Sequence, residues 1–307
     1  MKKYIIFILL IILIVAAGFR LTFLPVSEDS AEEVRFSVKK GEGSKDIALH
    51  LEKENLIRWA PTFRIYVLAR GIASDLKAGE YLLSSSMDIP EIAEKLVNGD
   101  VLKIKVTIPE GFTVKQIEER LGLELSADNL EGFLFPDTYQ FYFGFSGKEA
   151  IEVMRDNFEK KLTTDLRESI ANQGKTIFEI VTMASLIEKE VKSLPDKKLV
   201  SGILWKRLEI GMPLQVDAAL AYILEGSWDF DEMRREVALA RDIDSSYNTY
   251  KYLGLPPGPI CNPGLDSIIA AVYPAESDYL YYLSTPGGET IFSKTLAEHN
   301  LAKNRYF

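Results

Sequence analysis

From Thr176 to Lys192 the chain reads TIFEIVTMASLIEKEVK (176–192), and the spacing of its apolar residues decides how the protein around it is built. At about 100° per residue, Ile177, Ile180, Val181, Ala184, Ile187 and Val191 share one broad face. The spacing therefore predicts a helix over 177–192 laid against a core. Glu188 falls inside the apolar face, flanked by Ala184 and Val191, whereas Glu179 and Glu190 fall well round toward the opposite side. A lone carboxyl in such a place is costly when ionised and unpaired. Burial of this kind raises a carboxyl pKa and keeps the proton on near neutral pH, the condition a general acid requires. A structural glutamate paired with a lysine or arginine would produce the same pattern.

Around this helix the texture is α+β. Helical periodicity continues over Lys148–Thr164, Asp196–Glu209 and Asp217–Leu224, and the closing stretch Thr295–Arg305 reads as a helix. Tyr279–Ser284 reads as a buried strand, with Glu289–Ser293 as its hairpin partner across Pro286-Gly287-Gly288. Nearer the N-terminus a weak repeat recurs at an offset of 70 residues: Phe36, Val38, Gly41, Ile47 and Leu51 match Val106, Ile108, Gly111, Ile117 and Leu121. Each copy predicts a short strand, a glycine turn and an amphipathic helix with Ser44 or Thr113 as N-cap. Any strand–turn–helix unit would look much the same. Asp75–Leu83 reads as a further strand, and Ile89–Asn98 as a helix with Pro90 in its first turn. The first copy, with its turn and its Ile-Ala-x-x-Leu helix, resembles the LysM-like modules of cell-wall proteins.

The start of the chain carries an address. Lys2 and Lys3 precede an uncharged run, Tyr4–Phe19, and after Arg20 the apolar character resumes to Leu24. A spanning helix needs roughly 20 apolar residues, and an arginine at its end can snorkel to the interface. Residues 1–24 are thus expected to be an uncleaved transmembrane anchor, the lysines marking the cytoplasmic end. The competing reading is a signal peptide cut after Val15-Ala16-Ala17. The expected organisation is an anchor at 1–24, a polar stalk at 25–33, a small α+β module at 34–103 and a larger α+β domain at 104–307.

Composition excludes several functions. Residues 1–24 contain three basic residues and no acid, so the net charge of −9 deepens to −12 over the rest. That disfavours nucleic acid as a partner. Cys261 is the single cysteine, so no internal disulfide exists. Two histidines, His50 and His299, and the absence of CxxC or HExxH spacing leave no metal site or cofactor to expect.

Two stretches are suited to lining a sugar groove. Gln215 and Asp217 stand just ahead of a helix, where Asp217 could equally be only an N-cap. Tyr247, Asn248, Thr249 and Tyr250 offer an amide, a hydroxyl and two aromatic rings in succession, although a surface strand could read the same way. The run GLPPGPICNPG (254–264) holds four prolines and three glycines, so it predicts a rigid, irregular connection.

Taken in order, EGFLFPDTY (131–139), ASLIEKEV (184–191), RLEIGMPLQVD (207–217), YNTY (247–250), GLPPGPICNPG (254–264) and LAEHN (296–300) resemble the YceG-like endolytic murein transglycosylase family. The resemblance runs from about Val38 to Asn300. It implies a membrane-anchored enzyme that cuts the MurNAc–GlcNAc bond of nascent peptidoglycan strands, leaving 1,6-anhydro ends and ending strand elongation. Because the sugar's own 6-hydroxyl is the nucleophile, one carboxyl suffices, and the resemblance places it at Glu188, the first acid of the Glu-Lys-Glu run. It also places Gln215, Asp217, Tyr247 and Asn248 in or beside the groove. Implied partners are glycan strands, the membrane and a peptidoglycan synthase. Val191 and Cys261 depart from residues common in the family at those positions. The alternative is a non-catalytic wall-binding or divisome scaffold. A serine hydrolase built on Ser185 lacks a nucleophile elbow and a base.

Overall fold

A computed structural model of the chain describes residues 18, 22–27, 32–224 and 241–307. They divide into two compact units: the residues up to Lys105 with Gln140–Phe145, and Val106–Tyr139 with Ser146–Phe307. The expected anchor at 1–24 lies almost wholly outside the described residues. Among the described residues no helix is long and apolar enough to cross a membrane.

In the first unit β1 (Glu33–Val38) pairs antiparallel with β2 (Gly79–Ser84), Phe36 facing Tyr81 and Val38 facing Gly79. The period-2 alternation brings Phe36, Val38, Tyr81 and Leu83 to one face, and all four are buried. Their core is completed by α1 (Ser44–Lys53), α2 (Ala60–Ala69) and α3 (Ile89–Asn98). The α3 start is set by Asp88 and Glu91, which cap each other's backbone N–H groups. The sequence reading passed over α2, whose segment APTFRIYVLA lacks a clean polar face. Residues 25–27 are not a free stalk: the Arg58 guanidinium donates to the Pro25 and Val26 carbonyls, and Ser27 N–H donates to Ser85 O.

The two halves of the repeat share one local device. Gly41 and Gly111 both adopt the left-handed conformation, with φ of +85° and +77°, which a glycine tolerates without steric cost. The chain then enters α1 or α4 (Val114–Leu121), burying Ile47 and Ile117 completely. Thr113 caps α4 in a reciprocal box with Gln116. The matching cap of α1 is Gly43, without a side-chain bond, and Ser44 is already inside the helix.

The ribbon of β3 (Lys103–Thr107) and β4 (Thr138–Tyr142) has residues in both units. The second unit is otherwise mainly helical and continues with α5 (Gly147–Lys161) and α6 (Thr164–Asn172). The helix expected over 148–164 is α5, which ends three residues early, and Thr163 caps Leu166 N–H to start α6, which the sequence reading passed over. Then follow α7 (Ile177–Glu190), α8 (Leu194–Glu209), α9 (Asp217–Ile223), α10 (Leu265–Val272), the hairpin β5 (Tyr281–Ser284) and β6 (Thr290–Ser293), and α11 (Leu296–Tyr306). Helices α6, α8, α9 and α10 all pack on α7.

Residues Ile180 to Ile187, eight in succession, are all buried. Two helical turns buried at every position mean that α7 is a central helix covered on all sides. Its N-terminus is fixed by a reciprocal cap, Thr176 Oγ1 accepting from Glu179 N–H while the Glu179 carboxylate accepts from Thr176 N–H. Its C-terminus delivers Glu188, Lys189 and Glu190 among the surrounding elements.

Candidate active site

Glu188 is not alone on its apolar face. Lys197, near the start of α8, donates to both carboxylate oxygens at 3.2 and 3.3 Å. The pair is deeply buried, with side chains 4% (Lys197) and 9% (Glu188) exposed. Gly264 N–H and Ser267 Oγ also reach Glu188 Oε2, at 2.9 and 2.6 Å. Those two groups belong to the first turn of α10, whose N-cap Gly264 has no side chain to offer. Glu188 therefore supplies the missing cap from another helix and sits at the positive end of the α10 dipole. Glycine at 264 makes room for a second carboxyl: a Cβ there would stand 2.0 Å from Glu110 Oε1. Every hydrogen-bond partner of Glu188 described is a donor, an ammonium on one side and a helix terminus on the other.

Glu190, which the helical wheel turns toward the opposite side, is partly exposed there yet still meets protein neighbours. Its carboxyl receives hydrogen bonds from the Ala218 N–H and the Tyr282 hydroxyl. Burial, and after it the nearby charge of Asp217, push it up to about 7, against a smaller opposing pull from Arg207. Arg207 is buried with its guanidinium donating to the Leu280 and Leu214 carbonyls, which pins the start of β5 to the segment before α9. Asp217 opens α9 as its first helical residue, so it is not the N-cap; Val216 is. Its carboxylate accepts from the Tyr250 hydroxyl, and the Arg241 guanidinium lies 4.7 Å from the Tyr250 ring centroid. Gln215 is exposed in the left-handed region at φ +53°, its N–H donating to Thr249 O at 3.1 Å. A non-glycine residue held there is strain of the kind that clusters at functional sites. Asp217 and Tyr250 thus meet around Glu190, and Gln215 is two residues away from Asp217 on the outside.

Two expected groove residues are internal instead. Asn248 is fully buried: its amide donates to the Arg241 and Ile243 carbonyls at 2.9 and 2.8 Å and its oxygen accepts from Tyr250 N–H at 3.0 Å. With these bonds made inside the loop, it has no face for a sugar. Thr249 is also buried, its hydroxyl accepting from Val216 N–H and donating to Val216 O. Both residues shape the loop that presents Tyr250. Tyr247 packs its ring 5.2 Å from that of Tyr222 and is half-buried.

The proline-rich loop 254–264 docks against the same helix. Ile260 N–H donates to Ser185 Oγ, which itself donates to Thr182 O, so the Ser185 hydroxyl is committed and buried. Cys261 is buried beside it, and burial pushes its thiol well up. Asn262 ties this loop to Phe112, Leu134 and Glu131. Glu131, pushed up to about 7 chiefly by burial, also accepts from Val114 N–H at the start of α4. Glu110, beside Gly264, is raised by burial and then by the charge of Glu188. Among the described residues no group of three or more His, Cys, Asp or Glu is arranged to hold a metal ion.

Sequence reasoning missed Glu190, Arg207, Tyr282 and Lys197 as members of these clusters. Arg207 lay inside one of the recognised motifs. Lys197 carried no signal, being one of several lysines in Lys192–Lys198.

Comparison with known proteins places these motifs in context. The profile of the YceG-like family matches residues 36–305. An endolytic murein transglycosylase of Bacillus subtilis (strain 168) is 33% identical over an alignment of 320 positions, covering 92% of this chain and 87% of that protein. One of Streptococcus pneumoniae (strain D39) is 28% identical over 91% of this chain, which spans 59% of its length. A crystal structure of a yceG-like protein from Listeria monocytogenes superposes with a TM-score of 0.57 at 32% identity, covering 89% of this chain and 100% of that one.

Proposed function

The chain belongs to the YceG-like family, and from that premise we propose that Glu190 is the acid and base of its reaction and that Glu188 holds the site's frame. The protein is a lytic transglycosylase, a carbon–oxygen lyase acting within peptidoglycan glycan strands. The reaction needs a proton placed on the departing glycosidic oxygen and then a base for the 6-hydroxyl of the MurNAc ring. As the C1–O4 bond breaks, protonated Glu190 gives its proton to the leaving alcohol. The resulting carboxylate takes the proton of the 6-hydroxyl as that oxygen bonds to C1, closing the 1,6-anhydro ring. No water is consumed, and Glu190 ends as it began.

What supports this reading is the cluster at the end of α7, where Glu190 is partly exposed beside Asp217, Tyr282 and Arg207 and burial holds its carboxyl at about 7, so that acid and base forms are both available near neutral pH. Tyr282, the Ala218 N–H and Arg207 favour its ionised form, and Asp217 opposes it. Such balanced surroundings suit a group that must ionise and re-protonate in each turnover. Glu188 instead accepts from the Lys197 ammonium, Gly264 N–H and Ser267 Oγ, with the Glu110 carboxyl nearby. Gln215 and Tyr250 are assigned to the glycan groove, with Asp217 orienting Tyr250. The test is digestion of purified sacculi with wild type and Glu190→Gln, followed by mass analysis of the new ends. Anhydro ends lost only in the variant support the assignment, reducing ends in wild type indicate a hydrolase, and no new ends in wild type indicate the scaffold alternative.

We assign residues 1–24 to a single-pass anchor, with the described units on the extracytoplasmic side, from the uncharged run Tyr4–Phe19 behind Lys2 and Lys3. The first unit is read as a LysM-like module orienting glycan, a reading supported by its strand–helix–helix–strand order. A synthase extending the strand is the partner this placement fits.

A further inference from the structure

The face of the first unit between α1 and α2 is unusual for an acidic protein. It forms a groove of about 280 Å³ lined by Lys45, Leu49, Arg64, Ile65 and Leu68 and by no acidic residue. Leu49, Ile65 and Leu68 are 50%, 48% and 55% exposed, and Trp59, at the N-cap of α2, is 46% exposed. Aliphatic residues rimmed by cations, with a tryptophan at the edge, are the composition of a surface that lies in a lipid headgroup layer.

Chain continuity adds an independent reason. Thr22 Oγ1 bonds Thr62 Oγ1 of α2 at 2.7 Å, and the Phe23 ring lies 6.2 Å from that of Tyr66, one turn further along α2. Thr22 and Phe23 belong to the last turn of the 1–24 anchor segment, after Arg20. The headgroup layer on one side of a bilayer is about 5–8 Å thick. If residues 1–24 form the anchor, Thr22 stands near its outer end, and Thr62, bonded to it, lies at the outer membrane surface or immediately above it. Ile65 and Leu68 follow Thr62 by one and two turns on the same helix, which rises about 1.5 Å per residue.

We infer that the α1–α2 face of the first unit rests on the outer surface of the membrane, Leu49, Ile65 and Leu68 entering the interface and Lys45 and Arg64 meeting lipid phosphates. The inference rests on the anchor reading of residues 1–24. It makes the first unit a membrane-seated base instead of a module swinging on a stalk, in keeping with residues 22–27 being bonded to it.

The test uses the full chain carrying Leu68→Cys, labelled with a nitroxide and reconstituted into vesicles of roughly 70% phosphatidylcholine and 30% phosphatidylglycerol. Cys261 is 0% exposed and escapes the label. Accessibility of the label to oxygen, which concentrates in lipid, is compared with accessibility to a nickel chelate, which stays in water. The expected oxygen-to-nickel ratio is several-fold above that of the same label when Lys45→Glu and Arg64→Glu are added. Flotation of the vesicles in high salt reads the anchor separately. Protein that floats with a label as nickel-accessible as in the charge-reversed variant overturns the inference and leaves the anchor standing. Protein that does not float overturns both. A label shielded from both reagents with or without lipid means that residues 4–19 fill the groove, and shielding only by added glycan fragments means a sugar site; either result also overturns the inference.

Discussion

Exchanging Glu188 and Glu190 singly for glutamine separates frame from chemistry, because the two changes load different quantities. Glu188→Gln removes a charge from a pair whose lysine is 4% exposed. Breaking a buried pair from one side typically costs about 3–5 kcal/mol, since the remaining charge is left without compensation. The same change weakens the cap that Glu188 provides to Gly264 N–H and Ser267 at the start of α10, which adds to the loss. For a unit of this size each kcal/mol lowers the melting temperature by about 2–4 °C, so a fall of roughly 6–20 °C is expected. Glu190→Gln replaces a carboxyl that holds its proton near neutral pH with an amide of the same shape, and melting should move by less than about 3 °C. Its rate of anhydro-end formation should drop by about 10²–10⁴-fold, the usual worth of general acid–base help. Both variants are measured on one preparation each, by calorimetry and by mass spectrometry of digested sacculi, with activity assayed well below the melting range. A Glu190→Gln protein that produces anhydro ends at the wild-type rate, beside a Glu188→Gln protein that melts normally and produces none, would refute the assignment and return the acid to Glu188.

Other outcomes follow from the same contacts. Activity that depends on protonated Glu190 should decline as pH rises through about 7, visible in a pH profile of initial rates. Glu131, also at about 7, binds its proton more tightly folded than unfolded, so its stabilising contribution is complete below the unfolded carboxyl pKa and is lost as pH rises through about 7. In Glu131→Gln that part of the fall in melting temperature between about pH 5 and pH 8 should disappear, and an unchanged slope would count against it. Asn248→Ala should lower stability by about 1–3 kcal/mol by stranding the Arg241 and Ile243 carbonyls, with activity falling only as the loop loosens; normal melting with lost cleavage would return Asn248 to the groove. Gln215→Gly should relieve its left-handed backbone and raise stability by up to about 1 kcal/mol, while reducing cleavage through loss of the side chain.

Much of this protein was legible in the chain itself. The α7 helix, the hairpin at 281–293, the repeat with its two left-handed glycines and the ordered motifs that place the chain in its family are local or linear features. They depend on spacing, on φ preference and on residue identity, which a sequence states directly. The short apolar segments that became α2 and α10 were not legible. At such length apolar runs carry no period that separates a helix from a loop, and neighbours decide.

The surroundings that distinguish the two glutamates at the end of α7 belong to the tertiary structure alone. A wheel sorts side chains by direction and assumes one side is core and the other water, which holds for a helix on a surface. Here α6, α8, α9 and α10 surround α7, so each direction meets protein and what matters is what each carboxyl finds there. Glu188 finds Lys197 and the start of α10, nine and 76 residues further along the chain. Glu190 finds Tyr282, Arg207 and Asp217. A pKa and a hydrogen bond depend on distance in space, and no spacing within TIFEIVTMASLIEKEVK carries that distance.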